Sequence, residues 1–331
     1  MLSRDSFGWH VCGRLALVAA LLLGGLSQAA AEYPDRPIRL VVPYPPGATN
    51  DLLARVLAEP LAKELGQPVI VDNKGGAATA IGATAVASAP ADGYTLLLGT
   101  GTTYTLNGLL KKGLAYDTDR DFKLLSILAE VPCVFIVNPQ FPARTLGDFV
   151  AYAKAHPGAV NYSSSGLGSS LHLAGELFAQ RAGIKLTHVP YPGSAGAMRA
   201  LLANEVQMMS EVLSGALPQM QQKAVTALAV TSAKRTSLAP DVPTVAESGF
   251  PGFEAVGWYA LAVPKATPPA ITHRIEAAIN KILGEGALKA RFEPLGIEIP
   301  GPQEPGWADK YMAADRALWE PLIRKLNLSL D

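Results

Sequence analysis

Leu40-Val-Val-Pro-Tyr-Pro-Pro-Gly-Ala-Thr-Asn-Asp51 decides how this chain is read. A short apolar run stops at prolines and a glycine and restarts as a helix, so a strand hands over to a helix across a tight loop. Thr49, Asn50 and Asp51 offer capping side chains at the restart, where the first backbone N–H groups of a helix have no intrahelical partner. Such a place binds anions.

The same alternation continues outward from it. Ile38 to Pro43, Val69 to Asp72, Thr95 to Thr100, Leu124 to Glu130 and Val134 to Val137 read as strands. Over Asp51 to Leu65, residues Leu52, Leu53, Val56, Leu57 and Leu61 are spaced for one helical face, ended by Gly66 and Pro68. The second half repeats the pattern, with helices over Thr145 to Ala155, Ser169 to Ala182 and Ser194 to Ala203. Its strands fall near residues 161–163, 187–189, 207–211, 226–231 and 255–263. Helical regions over Pro268 to Leu283 and Glu304 to Leu326 close the chain. This is α/β logic, with parallel strands and crossover helices expected.

Residues 1–31 read as a secretory signal peptide. Arg4 and Arg14 precede an apolar run of 12 residues, Leu15 to Leu26, and Ala29-Ala-Ala31 supplies small residues for cleavage. A run this short does not cross a bilayer core of about 30 Å, so an exported protein is expected. No Cys follows the run for lipid attachment, and no consecutive arginines mark the twin-Arg route. Cys12 leaves with the signal, so Cys133 stands alone in an apolar segment and is expected to be a buried, inert thiol. About 300 residues must then be held by hydrophobic cores, a length that usually means two domains. After removal of Arg4, Arg14 and Asp5, 26 basic residues face 27 acidic ones, without the basic surplus of nucleic-acid binders.

Open α/β sheets present ligands to the loops at the C-terminal ends of their strands. Four such ends carry small or hydroxyl residues: Gly47-Ala48-Thr49-Asn50, Gly99-Thr100-Gly101-Thr102-Thr103, Ser163 to Ser170, and Tyr191-Pro-Gly-Ser194. Hydroxyls and free amides donate hydrogen bonds to a carboxylate without a full positive charge. Ser169, Ser170 and Asp51 serve equally well as helix caps, and His172 and His188 fit packing roles as well as pocket roles. Gly99-Thr-Gly101 hints at a dinucleotide fingerprint, but position 104 is Tyr and the third glycine is missing. There is no Gly-x-Ser-x-Gly elbow, no His-Glu-x-x-His, no phosphate loop and no metal-binding Cys pair. A serine paired with His172 or His188 would leave no motif, so an exported serine hydrolase of small esters is the alternative reading.

Longer motifs carry a resemblance. They include Tyr33-Pro-x-Arg-Pro-Ile-Arg-Leu-Val-Val-Pro-Tyr-Pro-Pro-Gly47, Asp92-Gly-Tyr-Thr-Leu-Leu-Leu-Gly-Thr100, Asn161-Tyr-Ser-Ser-Ser-Gly166 and His172-Leu-Ala-Gly-Glu-Leu-Phe178. With Gly66-Gln-Pro-Val69, His188-Val-Pro-Tyr191, Ala229-Val-Thr-Ser-Ala-Lys-Arg235 and Asp241-Val-Pro-Thr-Val-Ala-Glu-Ser-Gly249, they span nearly all of the chain after the signal. The chain resembles the tripartite tricarboxylate transporter substrate-binding proteins, or Bug-type receptors. That resemblance implies a periplasmic-binding-protein-like α/β fold, with two lobes, a ligand cleft and two crossovers. Lobe one would take residues 32–130 and 252–331, and lobe two 131–251. It further implies a periplasmic, monomeric receptor with no cofactor, no metal, no catalytic residues and no nucleic-acid partner. Such a receptor hands a small carboxylate (di-, tri- or aromatic, or an acidic amino acid) to membrane transporter subunits. The ligand positions carried over are Gly47 to Asn50 and Gly99 to Thr103 in one lobe, and Ser164, Gly166, Ser169, Ser170, Pro190 and Tyr191 in the other.

Departures from the family pattern bear on the ligand. Gly47-Ala48 stands where Gly-Gly is frequent, which restricts positive φ at the second position. Glu211, in Ser210-Glu-Val212, stands where Asp is frequent, and a carboxylate in the pocket repels a second ligand carboxylate. Capping a helix is an equal alternative for Glu211. Leu167 and Leu171 replace polar residues of the family, so a more apolar pocket is expected.

Overall fold

The computed structural model describes residues 33–330, and the expected signal peptide, 1–31, lies outside them. Strands β1 (Ile38–Val42), β2 (Val69–Asn73) and β3 (Thr95–Thr100) run parallel, with β1 in the middle. Helices α1 (Thr49–Leu65) and α2 (Ala80–Ala87) make their crossovers. β3 leads through Gly101 into a π-helical turn, Thr102–Leu106, continued by α3 (Asn107–Leu110). After α4 (Thr118–Asp121) comes β4 (Phe122–Val137), which is 16 residues long.

The second half contains α5 (Leu146–Ala155), β5 (Val160–Ser164), α6 (Ser170–Ala182), β6 (Leu186–Pro190) and α7 (Ser194–Leu202). It continues with β7 (Met208–Val212), α8 (Leu213–Gln221) and β8 (Thr226–Val230). The chain then returns through β9 (Val256–Pro264) to α9 (Pro269–Gly284), α10 (Ala287–Phe292) and α11 (Trp307–Leu326). Strand order is β2-β1-β3-β9-β4-β7-β5-β6, with β8 on the other edge of β4.

Two expectations need correction. The segments 124–130 and 134–137 are one strand, because Pro132 falls where its missing N–H costs no ladder bond. Pro132 is the last residue paired with β9, and Cys133 is the first paired with β7. The sheet is also mixed rather than parallel: β4 runs antiparallel to β7, β8 and β9, and β9 antiparallel to β3. Both corrections follow from one chain path, in which a single extended strand serves two sheets.

Alternation along β4 sends neighbouring side chains to opposite faces. Phe135 packs with Phe149 and Phe178 on one face, while Val134 and Ile136 pack with Met198, Met209 and Leu213 on the other. A third cluster, around Val41, Leu97, Tyr104, Phe122 and Trp258, fills the first lobe. α11 joins them: Ala308 and Met312 belong to the first-lobe cluster, while Trp319, Leu322 and Ile323 belong to that of Phe135. On α1 the buried stripe is Leu53, Leu57, Leu61 and Leu65, and Leu52 and Val56 are half-buried.

Thr231 ties the two crossings between lobes. Its buried hydroxyl accepts from the Cys133 amide at 3.0 Å and donates to the Ala255 carbonyl at 2.7 Å, while its amide donates to the Cys133 carbonyl at 2.9 Å. Thr231→Val keeps the shape and strands a buried donor and acceptor, so urea unfolding should show a loss of about 1–3 kcal/mol. An unchanged midpoint and slope would mean that this hydroxyl does not hold the crossings together.

Candidate functional site

Two contiguous cavities, of about 140 and about 180 Å³, lie between the lobes and share Ser170, Gly257 and Tyr259. The first-lobe wall comes from the two loops read from the sequence. At the start of α1 the positive φ of +85° falls on Gly47, while Ala48 is extended at φ −71°, so alanine there is unstrained. Ala48 makes no side-chain cap. Instead, Asp51 reaches back to accept from the Gly47 amide at 2.9 Å and pairs with Arg55. The Arg55 hydrogen bond, assisted by the Gly47 amide, pulls the Asp51 carboxyl below the usual range against its desolvation. An internal carboxylate thus meets part of the helix N-terminus, and Thr49 lines the second cavity.

The loop after β3 is folded by its own hydroxyls. Thr100 N donates to Thr103 Oγ1 at 3.1 Å, and Gly99 N donates to Tyr104 Oη at 3.2 Å. Thr103 and Tyr104 are thereby buried, and Thr100, Gly101 and Thr102 are left on the cavity wall. The π-helical turn makes this possible by widening the first turn, a local irregularity frequent at functional sites. A Cβ on Gly101 would stand 2.8 Å from Trp258 Nε1, so the close approach of backbone to indole requires glycine. Tyr44 Oη lies 3.2 Å from Thr100 Oγ1, and desolvation raises its phenol pKa against the hydrogen bonds of Thr100 and Thr102.

The second-lobe wall comes in the second cavity from Val131, Cys133, Val212 and Ser214, and in both cavities from the start of α6. Ser169 is its N-cap, with Oγ accepting from His172 N at 3.1 Å and donating to the Gly166 carbonyl at 2.7 Å, and this presents Ser170 to both cavities. Beneath the loop, His172 and His188 stack at 4.0 Å. His172 Nδ1 accepts from Gly168 N, and His188 Nε2 lies 2.7 Å from Ser164 Oγ. That pair is the contact a serine hydrolase would need. Ser164, however, is fully buried and outside the cavity lining, so the bond props the loop.

Of the residues singled out from the sequence, Thr49, Thr100, Gly101, Thr102 and Ser170 line the cavities. Asn50 is buried, with its amide directed to the Leu98 carbonyl at 3.4 Å, and Tyr191 packs on the Met198 cluster next to Pro190. Glu211 is 2 % exposed and outside both linings. Its Oε1 accepts from Ser194 Oγ and the Val212 amide, its Oε2 has no partner, and desolvation raises its pKa. Leu167 is half exposed and Leu171 buried, and neither lines the cavities.

Sequence reading missed Tyr44, Trp258, Tyr259, Asp315 and Trp319, which line the first cavity, and Cys133, which lines the second. Tyr44 sat inside the deciding stretch. Alternation in the last strand separates Trp258 from Tyr259, and Asp315 and Trp319 stand four apart on one helix face, yet neither pattern names what the face meets. Burial pushes the Cys133 thiol up to about 12, which keeps it protonated.

Two α/β lobes joined by a shared strand and a return crossing, with a hydroxyl-lined cleft between them, define a solute receptor of the periplasmic-binding-protein class. The chain belongs to the tripartite tricarboxylate transporter receptor family, whose model, described as "Tripartite tricarboxylate transporter family receptor", matches residues 53–328. It is 37% identical over 303 residues to protein BugT of Bordetella pertussis, covering 91% of this chain and 93% of that one. The solved structure of Rpa4515 of R. palustris with adipate has a TM-score of 0.74 and 33% identity, covering 90% of this chain and 99% of that one. MatC of Rhodopseudomonas palustris with bound malate has a TM-score of 0.70 and 31% identity, covering 88% and 100%.

The stacked histidines give the site a pH signature. Desolvation lowers His172 to about 4, with His188 adding repulsion, and desolvation alone lowers His188 to about 4, both from 6.5. The unfolded chain therefore binds more protons between about pH 6.5 and 4, so their contribution is complete above that window and lost as pH falls through it. His188→Gln keeps a hydrogen-bonding group for Ser164 and removes one titration. Its melting temperature should fall less than the parent's between pH 6.5 and 4.5, and parallel falls would mean that His188 does not titrate this way.

Proposed function

We propose that the protein is a periplasmic receptor that closes its two lobes on a small carboxylate and delivers it to a tripartite membrane transporter. One observation carries this reading: hydroxyls from both lobes, those of Thr49, Thr100, Thr102 and Ser170, converge on one cleft. Neutral donors of this kind bind an anion while desolvating no protein cation, and each hydrogen bond to a charged group contributes about 1.5–3 kcal/mol. Structures of relatives containing adipate and malate support the carboxylate class. Export rests on the sequence of residues 1–31, and among the described residues no helix is long and apolar enough to cross a membrane.

The moving bodies are residues 32–130 with 252–331, and residues 131–251. The core around Phe135 spans both bodies, since Leu106, Leu110, Trp319, Leu322 and Ile323 of the first belong to it beside Phe149 and Phe178 of the second. The remaining expected positions, Gly47, Ala48, Asn50, Gly99, Thr103, Ser164, Gly166, Ser169, Pro190, Tyr191 and Glu211, act behind the wall by shaping the four loops.

Calorimetry against a panel of mono-, di- and aromatic carboxylates tests the reading, with an ester-hydrolysis assay beside it. At least one carboxylate should bind, and Thr102→Val should weaken it on the order of 10-fold or more, with the melting temperature of the free protein little changed. Hydrolysis of esters with no carboxylate bound would replace the receptor with the hydrolase.

A further inference from the structure

Among the described residues that line the two cavities, none is basic, and the only one charged at neutral pH is Asp315, on α11. Its Oδ1 accepts from the Trp319 indole at 2.8 Å, and its Oδ2 is buried with no hydrogen-bond partner. A third, larger cavity shares Asp315 and Val256 with the first and is lined also by Glu130 and Glu254, again without a basic side chain. The far end of the cleft is therefore negative, while the end bearing Thr100 and Thr102 offers neutral donors. Thr100, Thr102 and Asp315 line one cavity of about 140 Å³. A ligand that reaches the threonines has its other end near Asp315.

From this we infer that Asp315 sets ligand specificity, selecting a carboxylate whose opposite end is an amine or a neutral group and discriminating against a second carboxylate. The inference rests on the receptor reading and narrows its ligand class. Two like charges about 6 Å apart at an effective dielectric near 20 weaken binding on the order of 100-fold, whereas an ammonium at the same place gains by attraction. Burial raises the Asp315 pKa, opposed by the neighbouring Thr105, Trp319 and Trp258 side chains and by the charge of Arg316. The charge that the sequence located at Glu211 is thus supplied to the ligand by Asp315, which no motif marked.

Matched pairs of equal length test this: succinate with 4-aminobutyrate, glutarate with 5-aminopentanoate, and adipate with 6-aminohexanoate, each titrated calorimetrically into the parent protein and Asp315→Asn. Asparagine keeps the acceptor for Trp319 and removes the charge. The parent should favour the amino acid of the best-binding pair by at least about 10-fold, and Asp315→Asn should shrink that ratio at least about 10-fold by gaining affinity for the diacid. A parent that favours the diacid overturns the inference without any variant, and so does a ratio that Asp315→Asn leaves unchanged. In both cases carboxylate binding itself would stand. Should neither member of any pair bind, nor any acid of the wider panel, the receptor reading falls and takes the inference with it.

Discussion

Everything in this molecule depends on the passage of one strand between two sheets. β4 pairs with β9 as far as Pro132 and with β7 and β8 from Cys133 and Val134 onward, so its two halves belong to different lobes. A proline at that handover has no N–H to leave unpaired, and a continuous strand is stiff along its length while twisting readily about its axis. Thr231 then binds the outgoing crossing at Cys133 to the returning one at Ala255. The result is a joint whose two connections lie side by side. Ligand loops from either lobe face each other across it, which is the geometry that hinge closure requires.

The cleft answers an electrostatic problem in a particular way. A lysine or arginine would bind any carboxylate strongly and indiscriminately, whereas hydroxyls held by their neighbours bind only a ligand that fits. Much of the apparatus therefore serves to fix those hydroxyls: Thr103 and Tyr104 fold the β3 loop, Ser169 caps α6, and the His172–His188 stack supports the serine-rich loop from below. Asp51, already engaged by Gly47 and Arg55, offsets part of the positive potential at the start of α1. Selectivity then falls to what lies at the far end, where α11 contributes Asp315.

The strands and most helices were legible because their apolar periodicity is set by the face each element buries. Val160 to Ser164 and Ser170 to Ala182 fall close to where spacing located them. Legibility failed where a residue's role depends on a distant partner. Pro132 looked like a strand break because nothing local reveals that two sheets divide the strand between them. Glu211 looked like a pocket carboxylate because its position beside a strand end is suggestive, yet Ser194 and the Val212 amide engage it. Asp315 and Trp319 were invisible because the C-terminal helix meets the cleft only through the return of the chain across both lobes. The five residues singled out from the sequence that line the cavities, Thr49, Thr100, Gly101, Thr102 and Ser170, all sit at strand-to-helix loops or at a helix start, where sequence pattern and sheet topology constrain position together.

The central claim is that ligand draws two lobes together about the joint at β4. Small-angle scattering of the protein, alone and with a saturating carboxylate that raises its melting temperature, measures this directly. The account predicts a smaller radius of gyration with ligand than without. Superimposable curves in the presence of a bound ligand would contradict a closing receptor, whatever the cleft binds.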